Sequence, residues 1–431
     1  MTQGKFMSAG RVSANSTAHS RKAHAARRRL ARACAGTTAL ASLAAMASIA
    51  GLTSTARAGG SDTADNVNLT SGPDLGSGGN ATANYSTGLA PTTTNDMTFI
   101  AGTYGNTTFN LSGGSITPGT LDDLNTTQAL TISDPTNTIT LSTPSNNTTG
   151  SQAADLIYVA ASGNLTVGAG IVLATGGNFD VVGTSNITGN ISGSFAIAST
   201  GAGTLTFGGD NTYSGATTVT AGTLTLASTG ALIGTSGITT SGSAVFSEVN
   251  GGVIGGGATF AQGSTGTSIL AGSNSYTGAT TVTAGNLTLA STGELNGTTG
   301  ITTSGSAVFY EVSGGVIGGS ATFAQGSTGT SILAGNNSYT GATTVTAGNL
   351  TLASTGVLSG TSGIATSGSA VFYEAAGGVI SGSASFAQLS TGTTTLLGNN
   401  SYTGATTASA GTLTVGAGGI IGSTGDRKSV V

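Results

Sequence analysis

From Gly59 to Gly425 the chain has no lysine, arginine, histidine or cysteine, and it has no tryptophan anywhere. Each absence removes a class of chemistry. Without histidine, lysine or cysteine, that stretch cannot assemble Ser-His-Asp, Cys-His or Ser-Lys nucleophilic sites. Zinc loses its usual nitrogen and sulfur ligands, and no cofactor is expected. With no cysteine pairs there is no disulfide framework, so stability must come from burial and backbone hydrogen bonding. With no cations to neutralise phosphate, strong binding to DNA, RNA or anionic lipid is disfavoured. All five prolines (Pro73, Pro91, Pro118, Pro135, Pro144) lie upstream of the regular part of the chain. The remainder contains no residue unable to donate to a β-ladder.

The charges that do occur are segregated. The eleven Lys and Arg lie at or before Arg57, or at Arg427 and Lys428. Fourteen carboxylates and no cation occupy the long interval between. The basic N-terminus reads as an export signal spanning residues 1–58. "RKAHAARRRLAR" is followed by an alanine-rich apolar stretch from Ala33 to Leu52, then by "ARAGG". Ala56 and Ala58 give the small-x-small pattern of signal cleavage, which is expected between Ala58 and Gly59. Export through the inner membrane to the cell surface or the surroundings is the expectation.

Glycine is abundant, at 74 of 431 residues, and Thr, Ser, Val, Ile and Leu supply a strand-and-turn vocabulary. The arrangement is periodic. "NSYTGATTVTAGNLTLASTG" occurs unchanged at 274–293 and 337–356, with relatives at 211–230 and 400–419. Tyr213, Tyr276, Tyr339 and Tyr402 mark a constant 63-residue step. "TLTL" at 223–226 alternates polar with apolar, and "SAVF", "GATFA" and "TSIL" are similarly short and are separated by Gly, Ser or Asn. These are strand signals, and no stretch has a capped helical period.

The expected fold is therefore all-β: a right-handed parallel β-helix, or β-solenoid, in which each 63-residue repeat makes about three rungs. Val219, Leu224, Leu226, Val245 or Phe246, Phe260 and Ile269 are expected to point inward, and Thr and Ser outward. A rod of roughly seventeen rungs and about 80 Å follows from a rung spacing of about 4.8 Å. A β-sandwich array fits less well, because its units hold about 100 residues and often a buried tryptophan. The expected organisation is a signal peptide (1–58), a low-complexity leader or cap (59–96), diverged rungs (97–198) and the regular repeats (199–425). Residues 426–431, "DRKSVV", break the pattern and match the translation of a sequencing adapter, so they read as a non-native tail.

The repeated phrase resembles the autotransporter-associated β-strand repeat. It stands as "GGDNTYSGATTVTAGTLTL" from 208, "GSNSYTGATTVTAGNLTL" from 272, "GNNSYTGATTVTAGNLTL" from 335 and "GNNSYTGATTASAGTLTV" from 398. The resemblance implies a bacterial surface or secreted passenger with a β-helical stalk, and an outer-membrane β-barrel translocator as its partner in the intact protein. With the residue types for nucleophilic and zinc chemistry missing, the expected role is structural or adhesive rather than enzymatic, and host-surface, glycan or sister-cell contacts are candidates. Two other readings stay open: a fragment of a secreted glycan-active protein whose working part is missing, and an ice-binding solenoid suggested by the Thr-x-Thr strands.

Few residues are candidates for chemistry. Glu248, Glu311 and Glu374 are repeat-equivalent. Three rungs apart, they would lie about 14 Å from one another, too far for a glycosidase pair at about 5–9.5 Å. They are expected to be solvated acids at a corner or edge. Asp122–Asp123 is expected to be a turn pair. The four repeat-marking tyrosines could form a row for sugar contact, but the favoured reading is a corner cover with the hydroxyl exposed.

Overall fold

The computed structural model describes residues 66–68, 96–100, 108–111, 114–124, 129–142, 155–416 and 419–421. All belong to one compact unit, Asp65–Val431. Residues 1–58 with Ala56, Ala58 and the following Gly59, and the tail 426–431, lie outside the described residues.

Strand alternation and glycine corners produce a three-walled coil with no helix among the described residues. The first wall is a 15-stranded sheet running from Thr108–Phe109 to Thr412–Val415. The second is a 16-stranded sheet from Asn66–Asn68 to Thr406–Ala408. The third consists of four separate three-stranded sheets, built in the repeats from two-residue strands such as Asp210–Asn211. Neighbouring strands in every wall pair in parallel, as in Leu224↔Phe246 on the first wall and Thr217↔Ile238 on the second. That is the signature of a stacked coil, in which each strand pairs with its counterpart one turn away. The diverged segment belongs to the same stack: Asn164–Val167 and Thr184–Ile187 continue the first wall without a break.

Successive first-wall strands start at Thr267, Asn286, Val308 and Thr330. One repeat is thus three coils, as the 63-residue period implies. The coil from Thr267 to Asn286 is slightly shorter than the two that follow. Among the described residues, the sixteen stacked strands of the second wall at a spacing of about 4.8 Å make a stack of about 70 Å.

The core is a column of side chains inside the three walls. Leu224, Leu226, Phe246, Phe260 and Val219 are buried as expected. Phe246 meets Phe260 across the interior edge-to-face at 5.5 Å, and Phe309–Phe323 and Phe372–Phe386 repeat the contact at 5.6 and 5.5 Å. Each such pair contributes about 1 kcal/mol beyond its buried area.

Three expectations about facing are corrected. Ile269 lies on the outer face, while Ser268 and Leu270 point inward. "TSIL" alternates equally well either way. The choice falls to Leu270, which stacks on Leu289, and to Ser268, whose hydroxyl accepts the Phe246 N–H at 3.1 Å. Not all threonines face out. Thr217, Thr280 and Thr343, and Thr240, Thr303 and Thr366, are buried, and Thr240 bonds Gln262 at 2.8 Å. Asp122 and Asp123 lie in the strand Leu121–Leu124, not in a turn, and both are buried.

Glycine is indispensable at the corner entering the first wall. Gly285 has φ of 54°, and a Cβ there would stand 2.4 Å from the Gly266 carbonyl oxygen. Left-handed backbone and a close neighbouring coil both demand glycine, and Gly222, Gly348 and Gly411 repeat the geometry.

Candidate functional site: buried carboxylates behind an uncharged wall

Inside the first wall, Leu226, Glu248, Leu270 and Leu289 occupy one inward register column. The glutamates are therefore interior residues. Glu248 is 2% exposed and Glu311 and Glu374 are 0% exposed, so the expectation of solvated acids is overturned. Strand alternation explains it: in "VFSE" and "VFYE" the Phe and the Glu share one face, and the Phe is needed in the core.

Each carboxylate is held by the next coil. Glu248 Oε2 accepts the N–H groups of Ala271 and Gly272, both at 2.8 Å, and the Asn274 side-chain amide at 2.9 Å. Glu311 is held identically by Ala334, Gly335 and Asn337, each at 2.8 Å. Glu374 accepts from Gly398 at 3.0 Å and Asn400 at 2.8 Å. The other oxygen, Oε1, is buried without a hydrogen-bond partner in all three. Gly272 makes room for it, because a Cβ there would stand 1.9 Å from the Gly252 carbonyl oxygen and 2.9 Å from Glu248 Oε1.

The asparagine serves two coils at once. The third wall divides between Ile254 and Asn274. There the Ile254 N–H donates to Asn274 Oδ1 at 2.8 Å, while the Asn274 amide reaches the carboxylate. Ile317–Asn337 and Ile380–Asn400 repeat the bond at 2.8 and 2.6 Å. The first repeat has no glutamate at this place. There the last residue of the preceding first-wall strand is Ile187, which pairs Phe207 in the column. Asn211 still accepts the Ile191 N–H at 3.0 Å, and its amide reaches the Gly209 carbonyl as Asn274 reaches that of Gly272, but it donates to the Ala231 carbonyl in place of a carboxylate. Sequence reasoning missed this pairing, although a signal was present. Glu248 and Asn274, Glu311 and Asn337, and Glu374 and Asn400 are separated by one constant interval.

Burial pushes the Glu311 carboxyl up to about 7, against the opposing pull of bonds from Asn337, Gly335 and Ala334. Glu248 and Glu374 shift upward for the same reason. A carboxylate without a countercharge in a dry interior favours its neutral form. With three coils between them the glutamates are about 14 Å apart. Buried and separated, they form no acid–base pair that a substrate could reach.

The repeat-marking tyrosines are also interior. Tyr213, Tyr276, Tyr339 and Tyr402 are at most 1% exposed. The Tyr276 hydroxyl bonds Thr280 at 2.7 Å, and Thr280 bonds Thr298 at 3.2 Å. The hydroxyls therefore do not face solvent as expected, and these rings cannot form a sugar-contacting row. The ring fills the corner between the third and second walls, and inward threonines satisfy its polar end.

Four segments of the chain match the passenger-associated-transport-repeat family: residues 200–226, 262–289, 325–352 and 387–415. Each of the four segments is similar to that repeat. Each matched segment begins before one first-wall strand, passes through the asparagine–tyrosine corner and ends on the next first-wall strand. The transport repeat is thus one complete coil, and two further coils separate successive copies. The matches bear out the resemblance to autotransporter passengers, and the family implies export to a surface or extracellular location. No curated protein matches the chain. No solved structure matches it either.

Proposed function

We propose that the chain is the non-catalytic stalk of an autotransporter passenger, structural or adhesive in role, whose translocating partner is an outer-membrane β-barrel. The observation that carries this reading is the stacking of the four transport repeats into one uninterrupted solenoid. Stacking adds length with each unit and needs nothing from a unit except that it fit its neighbours. The residue inventory agrees. The repeats contain no histidine, lysine, arginine or cysteine, and their recurring glutamates bond backbone and asparagine inside the wall.

Surface labelling of the producing cells tests the proposal. An antibody against residues 199–421 is expected to label intact cells or recover the chain from the medium. Removal of one 63-residue unit should leave that labelling unchanged. Confinement of the chain to the cytoplasm would contradict the reading, as would loss of export on removal of a single unit.

A further inference from the structure

The outer face of the first wall carries one continuous column of side chains along the stack. In its N-terminal part the column is polar, running Thr166, Asn186, Thr206, Thr225 through directly paired positions. In the second and third repeats the character changes: Thr288 pairs Tyr310, Tyr310 pairs Ile332, and Thr351 pairs Tyr373. Tyr310 is 41% exposed and Tyr373 39% exposed. These rings were not the tyrosines singled out by the 63-residue motif. They occupy the solvent side of the same strands whose inner side carries Phe and Glu.

We propose that this column is a binding platform for a neutral, linear polysaccharide lying along the axis of the stack. Four features favour that ligand. The outward positions of the first wall carry no charge from Asn164 to Thr414. With no cation in the repeats, polyanions have no counter-ion, whereas a neutral chain needs none. The two rings are three coils apart, about 14 Å, and are aligned with the stack, so an extended ligand can meet both. The groups between and beside them are mixed. Ile332 and the ring faces suit the C–H faces of sugars, and Thr288, Thr351 and the exposed Asn349 offer hydroxyl and amide groups. A purely apolar partner would strip water from those polar groups without replacing its hydrogen bonds.

The experiment is affinity electrophoresis of the purified full chain through native gels that contain soluble neutral glycans (hydroxyethyl cellulose, amylose, mannan and galactan) or polygalacturonate. The expected result is retardation by at least one neutral glycan and none by polygalacturonate. Y310S/Y373S should reduce that retardation at least tenfold, while T206S/T225S, on the polar part of the same column, should not. Circular dichroism of both variants separates loss of binding from loss of fold. The proposal is overturned if no neutral glycan retards the chain, or if folded Y310S/Y373S is retarded like the parent. It is also overturned if sedimentation shows that the tyrosines instead hold two copies of the chain together.

Discussion

Raising the pH from about 5 to about 8 is expected to weaken the solenoid, and replacing Glu248, Glu311 and Glu374 with glutamine to remove most of that loss. The direction follows from the sign of the shift. A carboxyl whose folded value lies above its unfolded value stabilises the fold while it is protonated in both states. That contribution is lost as pH rises through the folded value. For Glu311 the window runs from 4.5 to about 7, which corresponds to about 3 kcal/mol. Glu248 and Glu374 act in the same direction. Glutamine keeps an oxygen for the three N–H donors and carries no charge at any pH. Other groups do not blur the comparison. Burial pushes Tyr276 and Tyr339 upward, so they stay neutral across the window. Asp134, lowered to about 2 by bonds from Asn137 and Thr136, loses its contribution only in stronger acid. Asp180 shifts upward through burial and the nearby Asp155, but it is common to parent and variant and cancels between them. Thermal melts of both proteins across this range provide the check. Parallel curves would show that the glutamates do not govern the pH response.

The second large effect is expected at the asparagine. Asn337→Leu removes the acceptor of the Ile317 N–H and one donor to Glu311 at a site closed to water. Buried groups left unsatisfied cost about 1–3 kcal/mol each, so a loss of about 3 kcal/mol is expected. The molecule contains its own control. Asn211→Leu breaks the same Ile–Asn bond and the amide bonds to the Gly209 and Ala231 carbonyls, of which Gly209 keeps the Ala231 N–H, but it touches no carboxylate, because Ile187 stands where the other repeats have glutamate. It should cost less. In a Glu311→Gln background, the cost of Asn337→Leu should change by about 1 kcal/mol, the coupling expected of groups in direct contact. Denaturant midpoints of the single and double variants measure this. Equal costs at 211 and 337, with no coupling to position 311, would dismiss the carboxylate–amide link.

The fold was legible because the period and the alternation agree. A 63-residue step with no proline or helical signal leaves few ways to bury Leu224, Leu226 and Phe246 other than by stacking. Facing was less legible where both alternates of a strand were plausible. In "TSIL" the aliphatic residues are adjacent, so alternation cannot select between Ile269 and Leu270. The inward choice depends on the coil above, which no local pattern records. The glutamates were misplaced for a related reason. A charged residue in a polar sequence reads as solvated, and only the neighbouring coil reveals its three donors. The tyrosines show the same limit in reverse. The rings in the recurring motif are core, and Tyr310 and Tyr373, which drew no attention in the sequence, reach the surface. Both errors concern contacts between neighbouring coils, far apart in the chain, where register decides and composition does not.

One 63-residue unit comprises three stacked coils and is the smallest unit whose removal restores every inter-coil contact. Small-angle scattering on a variant lacking residues 274–336 tests it directly. Its new junction, Ser273 to Asn337, recreates the "SNSYTG" corner present in the parent chain. The predicted result is a folded protein about 14 Å shorter than the parent. A variant lacking only the single coil 308–329 should be clearly less stable, because Asn337 loses Glu311. An unchanged length after removal of 274–336, or unfolding of that variant while the single-coil deletion is tolerated, would contradict the account.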